Sequence, residues 1–141
     1  MRIVRLAPGD EQVVLDAGDL FDVAPTEEWT ARFLSSEGHH LLLAFGDDDA
    51  HMGFVSGVET THPDKGTEMF LYELAVHPDY RNRGVGRALV TALGEVARER
   101  GCYGMWVLTD SDNAAALAAY GAAGAGEPEA SVMLEWRFEA T

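Results

Sequence analysis

The chain has 141 residues, 47% of them apolar, and a formal net charge of −14 with Lys65 as its only lysine. That size suits one domain, expected to span residues 1–141, and the apolar fraction excludes a disordered chain. So acidic a surface disfavours nucleic acid and anionic membranes as partners and gathers cationic small molecules, although the same charge also serves solubility alone.

"MRIVRL" alternates as a first strand and stops at Pro8 and Gly9. The N-terminus lacks an export pattern, no apolar run nears the roughly 18 residues of a membrane span, and Cys102 has no cysteine partner, so a cytoplasmic location is expected. Asp10 is placed to cap a helix with Val13, Val14, Ala17 and Leu20 on one side. A second helix is predicted from Thr26, with Glu27 and Glu28 in its first turn and Trp29, Phe33 and Leu34 buried. "HHLLLAF" and "AHMGFVSGVET" read as a hairpin turned at "GDDD", and "EMFLYELAV" as a strand ending near His77, because Pro78 cannot extend a ladder. From Gly84 the period becomes helical: Val85, Leu89, Leu93, Val96 and Ala97 share one face until Gly101. "CYGMWVLT" is predicted as a buried strand and "NAAALAAYGAAG" as a helix capped by Asp112 or Asn113. "SVMLEWRF" is predicted as a closing strand. The sum is an α/β or α+β domain: a mixed, mostly antiparallel sheet of six to seven strands with about four helices.

The stretch "HPDYRNRGVGRALV" sets Arg81, Arg83 and Arg87 around Gly84 and Gly86 where that long helix begins. The first N–H groups of a helix lack internal partners, and with the helix dipole they attract an anion. Glycine lets such a ligand approach the main chain, and arginine adds forked donors. A Walker loop is absent, and Leu89 stands where a dinucleotide fingerprint needs its third glycine. What remains is Arg-x-x-Gly-x-Gly, from Arg81 to Gly86.

"LAVHPDYRNRGVGRALV" resembles motif A of the GNAT (Gcn5-related) N-acetyltransferases, and "NAAALAAY" is similar to the asparagine-to-tyrosine helix of that family. From about Glu68 to Tyr120 the chain is most similar to GNAT-type aminoglycoside 3-N-acetyltransferases, which commonly carry aspartate where Glu73 stands. The resemblance implies a single GNAT-like domain in which Arg81, Asn82, Arg83, Gly84, Val85, Gly86 and Arg87 hold the pyrophosphate of acetyl-coenzyme A. It further implies that Leu74, Ala75 and Val76 meet the pantetheine arm through main chain, with Asn113 and Tyr120 also on the cofactor. Tyr120 would protonate the departing thiolate, and a homodimer would form, for which Trp136 and Phe138 are candidate contacts.

The implied reaction moves acetyl to a primary amine of an aminoglycoside-like polycation by direct attack in a ternary complex. Such an amine, with a pKa near ~10, must first lose a proton. Glu73 is the candidate base: its alternation partners Leu71 and Ala75 are apolar and expected to face inward, which puts Glu73 on the cleft side. Asp110 is the reserve base, and Asp110 and Asp112 with Glu73 are candidate anchors for substrate ammonium groups, joined by Glu27, Glu28 or Glu135. The N–H of Leu74 or Ala75 is a candidate donor to the carbonyl oxygen. His39, His40, His51, His62 and His77 show no metal-ligand spacing, so no metal is expected, and His77 reads as a turn residue. Cys102 reads as a small buried hydrophobe, and Trp29, Trp106 and Trp136 as core or interface packing. The rival readings are acetylation of a polyamine, an amino acid or a protein N-terminus, and a non-catalytic acyl-coenzyme A-binding protein.

Overall fold

Alternation along "HHLLLAF" and "MGFVSG" decides the two faces of the sheet. The structure, a computed structural model, describes residues 1–139. β1 (Arg2–Arg5), β2 (His39–Phe45), β3 (His51–His62) and β4 (Gly66–Val76) pair antiparallel in that order, and β5 (Met105–Trp106) joins β4 in parallel. Leu42, Val55, Met69 and Leu71 point to one face and bury against α3 (Val85–Glu99), through Val85, Leu89 and Leu93. Leu41, Leu43, Phe45 and Phe54 point to the other, under α1 (Glu11–Asp16) and α2 (Glu27–Ser35), against Val14, Leu20 and Leu34. Each such leucine or valine, fully buried, contributes about 1.5–3 kcal/mol. α4 (Ala114–Ala122) packs on the α3 side through Tyr120.

The caps at Thr26 and Asn113 form as expected. Thr26 Oγ1 accepts from the Trp29 N–H at 3.2 Å, and Asn113 Oδ1 accepts from the Ala116 N–H at 3.1 Å. Asp10 behaves differently: its carboxylate accepts from the Ala7 N–H at 2.8 Å instead of capping α1.

At the C-terminal end of α3, Arg100 Nε donates to Glu59 Oε2 at 2.8 Å, and His40 Nε2 reaches the same oxygen at 2.6 Å. Arg5 approaches His40 Nδ1 at 3.2 Å. Arginine can only donate, so Nδ1 is the acceptor and His40 is neutral, with its proton on Nε2. Burial lowers the His40 pKa in the same sense, against the bond to Glu59. For Glu59, burial alone would raise the pKa, but the bonds from Arg100 and His40 outweigh it and hold the carboxyl below its ordinary value.

Among the described residues four α-helices match the expected number, whereas the sheet has five strands instead of six or seven. "SVMLEWRF" alternates correctly but, among the described residues, has no strand beside it to complete a ladder. Val132, Leu134, Trp136 and Phe138 stay 71% exposed or more. The strand expected at "CYGMWVLT" shrinks to Met105–Trp106, and Cys102 is only half-buried. Trp29, Trp106 and Trp136 are all exposed and belong to no core; Trp29 instead lies under the Arg32 guanidinium. Among the described residues no helix is long and apolar enough to cross a membrane.

Candidate active site

The C-terminal half of β4 is bonded on one edge only. β3 follows it to Val76, but β5 leaves after Met69 and Phe70, so the other edge of the stretch from Tyr72 to Val76 is open. Main-chain groups of Leu74 and Val76 face that open edge and can hold amide or carbonyl groups of a ligand. Ala75, paired with Phe54 next to the bond from the His77 N–H to the Met52 carbonyl, turns its own N–H and carbonyl to β3 and, contrary to expectation, is not available.

This stretch also contains the main departure from the sequence reading. Ser56 pairs with Glu73 but Gly57 pairs with Leu71, so Tyr72 is an extra residue, a β-bulge. Leu71 and Ala75 therefore do not share a face. Leu71, Leu74 and Val76 line the α3 core, while Ala75 packs on the α1–α2 side. In a regular strand Glu73 would follow Leu71 into the α3 core; the bulge turns it to the opposite face, beside Ala75. Glu73 is half-buried there, and burial, followed by the nearby carboxylate of Asp22, pushes its pKa above the ordinary value. Asp22 lies in the segment between α1 and α2, which Phe21 fastens to the sheet by stacking on Phe54 at 4.2 Å. The sequence alone did not point to Asp22; an aspartate after two apolar residues carries no signal of its long-range neighbour.

Beside the open edge, α3 starts at Gly84, whose φ of +79° is left-handed and whose α-carbon has open space where a side chain would project. No side chain caps this helix, so its first N–H groups face outward. Arg81, Asn82, Arg83 and Arg87 are exposed around it, and Val85 is buried as the helix's first core residue. Arg81 Nε donates to the Val76 carbonyl at 3.5 Å, and the Arg83 guanidinium lies over the Tyr80 ring. None of the three arginines has a carboxylate partner among the described residues. Uncapped donors, an open approach at Gly84 and unneutralised cations fit a diphosphate.

Gly86 turns its α-carbon toward the inside of the helix start. A methyl group there would meet Ala119, Val76 and Leu74 at 3.5–3.7 Å, so Gly86 marks where α3, α4 and β4 converge. Tyr120, next to Ala119, is buried and lies further along α3, where it lines a cavity together with Val90 and Gly94. Burial raises the Tyr120 pKa, which keeps the phenol protonated. Tyr120 borders a cavity of about 360 Å³ with Leu71, Met105 and Val107. Asn113 uses its side-chain oxygen to cap α4. Asp110 and Asp112 are exposed in the loop before α4, and the charged neighbour acting on Glu73 is Asp22, not either of them. Glu27 and Glu28 are exposed, and Glu135 pairs with Arg137 at 2.9 Å. His77 is a turn residue as expected, its Nδ1 accepting from the Asp79 N–H at 3.1 Å.

The model of the Acetyltransferase (GNAT) family matches residues 10–125. A mycothiol acetyltransferase of Salinispora arenicola is 37% identical over 127 residues, covering 83% of this chain and 38% of that protein. A [ribosomal protein bS18]-alanine N-acetyltransferase of Escherichia coli is 40% identical over 60 residues, covering 43% of this chain and 40% of that protein. The chain thus matches about two fifths of the length of these relatives. Among solved structures, an aminoglycoside acetyltransferase from an uncultured soil metagenomic sample superposes with a TM-score of 0.86 at 20% identity, covering 98% of this chain and 96% of the other. The aminoglycoside N-acetyltransferase AAC(6')-Iy in complex with CoA superposes at 0.78 and 20% identity, covering 96% and 94%. At these identities the likeness concerns the fold.

Proposed function

The chain belongs to the GNAT acetyltransferase family, and on that premise we propose that residues 1–141 form one domain that acetylates a primary amine of a small aminoglycoside-like polycation. The family uses acetyl-coenzyme A. The observation that carries the proposal is the meeting of an uncapped, arginine-flanked helix start with the open edge of β4, while the bulge holds Glu73 out of the core.

Arg81, Asn82, Arg83, Arg87 and the N–H groups from Gly84 to Gly86 hold the diphosphate, and the β4 edge from Leu74 to Val76 holds the amide arm. Acetyl-coenzyme A bound there supplies an activated thioester carbonyl. Glu73 takes the proton from the acceptor ammonium at its carboxylate; its raised pKa brings it closer to that of the amine, which favours the transfer. The N–H of Leu74, on the open edge, donates to the carbonyl oxygen. The Tyr120 hydroxyl gives its proton to the leaving sulfur and is restored by the second proton, which the nitrogen releases as it becomes an amide. Glu73 and Asp22 together draw a polycation, supported by Asp110 and Asp112, exposed before α4, and by the net charge of −14. The exposed apolar residues Trp136 and Phe138 support a homodimer. The regiochemistry proposed is 3-N, on the residues from Glu68 to Tyr120.

A second acceptor, a protein N-terminus, is favoured by the identity to the ribosomal-protein-alanine acetyltransferase. A panel of aminoglycosides, polyamines, amino acids and peptides, read by thiol release from acetyl-coenzyme A, separates the two. Turnover of polycations and not of peptides is expected, and the reverse overturns the acceptor class. Glu73→Gln is expected to lower kcat on the order of a hundred- to ten-thousand-fold, with Asp110→Asn close to wild type. The opposite order would transfer the role of base to Asp110.

A further inference from the structure

Next to Glu73 the sheet buries a polar group that this chemistry leaves unused. Ser56 is 4% exposed, and its hydroxyl has no hydrogen-bond partner. Leaving such a group buried and unpaired is destabilising, a penalty an alanine would avoid. Its neighbours along β3 are all apolar or glycine: Gly53, Phe54, Val55 and Gly57. Packing therefore gives no reason for a hydroxyl at this place.

The register gives one. Ser56 stands directly opposite Glu73, and paired side chains on one face of an antiparallel ladder have Cβ atoms about 4.5–5.5 Å apart. The bulge at Tyr72 turns Glu73 onto the face that Ser56 already occupies, since Phe54, two residues before Ser56, packs on the α1–α2 side with Ala75. Phe21, stacked on Phe54, brings the segment carrying Asp22 to the same face. The charged group acting on Glu73 from the packed elements is Asp22, and Ser56, its hydroxyl unbonded in this rotamer, stands across the ladder from Glu73. A serine needs only a turn about χ1 to aim its hydroxyl.

We propose that Ser56 is a positioning residue for Glu73: its hydroxyl donates to the Glu73 carboxylate, directly or across one water, and holds it toward the acceptor amine. The proposal rests on the reading of Glu73 as the base. The proton of the ammonium passes to the carboxylate and none passes to Ser56. Once Glu73 is protonated, the serine oxygen accepts from it, because a hydroxyl serves either way. A donor to the charged form lowers a carboxyl pKa, so Ser56 offsets part of what burial and Asp22 raise.

The test is a carbon-13 NMR titration of the Glu73 carboxyl in the full chain, wild type against Ser56→Ala, with the resonance assigned by its loss in Glu73→Gln. The Glu73 pKa is expected to rise in the variant by about half a unit to one unit, the size of one lost hydrogen bond to a charged group. On an amine that is turned over, kcat should fall roughly three- to tenfold with KM within about twofold, and the acidic limb of the pH profile should move up by the same shift. A Glu73 titration that stays put or moves down in a folded variant overturns the proposal, and Ser56→Gly gives the same reading should alanine disturb the strand. Should no amine be acetylated by the wild type, the reading of the reaction falls, while the titration still decides whether Ser56 serves Glu73.

Discussion

At its C-terminal end α3 is followed by Arg100, held between Glu59 and the more distant Glu37, with a neutral His40 completing the contact to the sheet. At its N-terminal end Arg81, Arg83 and Arg87 surround the helix start with no carboxylate against them among the described residues. The chain has 24 acidic residues against 10 basic ones, so arginines without an acidic partner stand against the chain's own composition. The pairing at one end fastens helix to sheet, as a structural ion pair does. The absence of pairing at the other keeps donors available for a ligand. Arginine count alone does not separate the two; what separates them is whether the protein itself supplies the anion.

Substitutions at the two ends should therefore part binding from stability. The largest effect is expected from Gly84→Val. A left-handed β-branched residue is strained by about 1–2 kcal/mol or more, and its side chain would occupy the open approach to the helix start. Calorimetry should show coenzyme A affinity reduced on the order of a hundredfold. Arg81→Ala with Arg83→Ala comes next, at roughly tenfold per arginine and a flatter salt dependence of binding, with the melting temperature nearly unchanged. Should that double variant melt early and bind normally, the contrast between the ends is wrong. Arg100→Met should do the reverse, lowering the melting temperature while leaving coenzyme A affinity as it was.

The smallest effect is a pH dependence at the paired end alone. Glu59 has a depressed pKa in the folded chain, so its contribution is present above its unfolded value and is lost as pH falls through the folded one. His40 is also depressed, so its contribution begins to fall once pH drops below the ordinary histidine value of about 6.5. Thermal melts from pH 7 downward should thus lose stability first from His40 and then from Glu59, and Arg100→Met should weaken the lower step.

Much of this contrast was legible before any coordinates. Arg-x-x-Gly-x-Gly at a change of period marks the helix start proposed to hold an anion, and the face of α3 follows from Val85, Leu89 and Leu93. What stayed hidden depended on partners distant in sequence. Nothing in "YELAV" marks Tyr72 as the extra residue, because a bulge is a mismatch between two strands and the sequence of one strand does not encode its register against the other. Asp22 reaches Glu73 by way of the Phe21–Phe54 stack, a contact between residues 33 positions apart. "SVMLEWRF" has the alternation of a strand, but alternation states which side needs cover and not whether a neighbour is there to pair with.

The bulge at Tyr72 also lets the two halves of β4 keep separate counts. Taking out Tyr72 would leave Leu71 opposite Gly57 and Glu73 opposite Ser56 as consecutive pairs, so every remaining side chain would keep its side and only an exposed tyrosine would go. Absorbing Tyr72 into the ladder would do the opposite, sending an acid toward α3 and two aliphatic side chains, Leu74 and Val76, away from it. The amino acids would be the same, yet the two sides would have traded places. The segment can thus lose its spare residue but cannot straighten around it, a constraint of counting more than of chemistry.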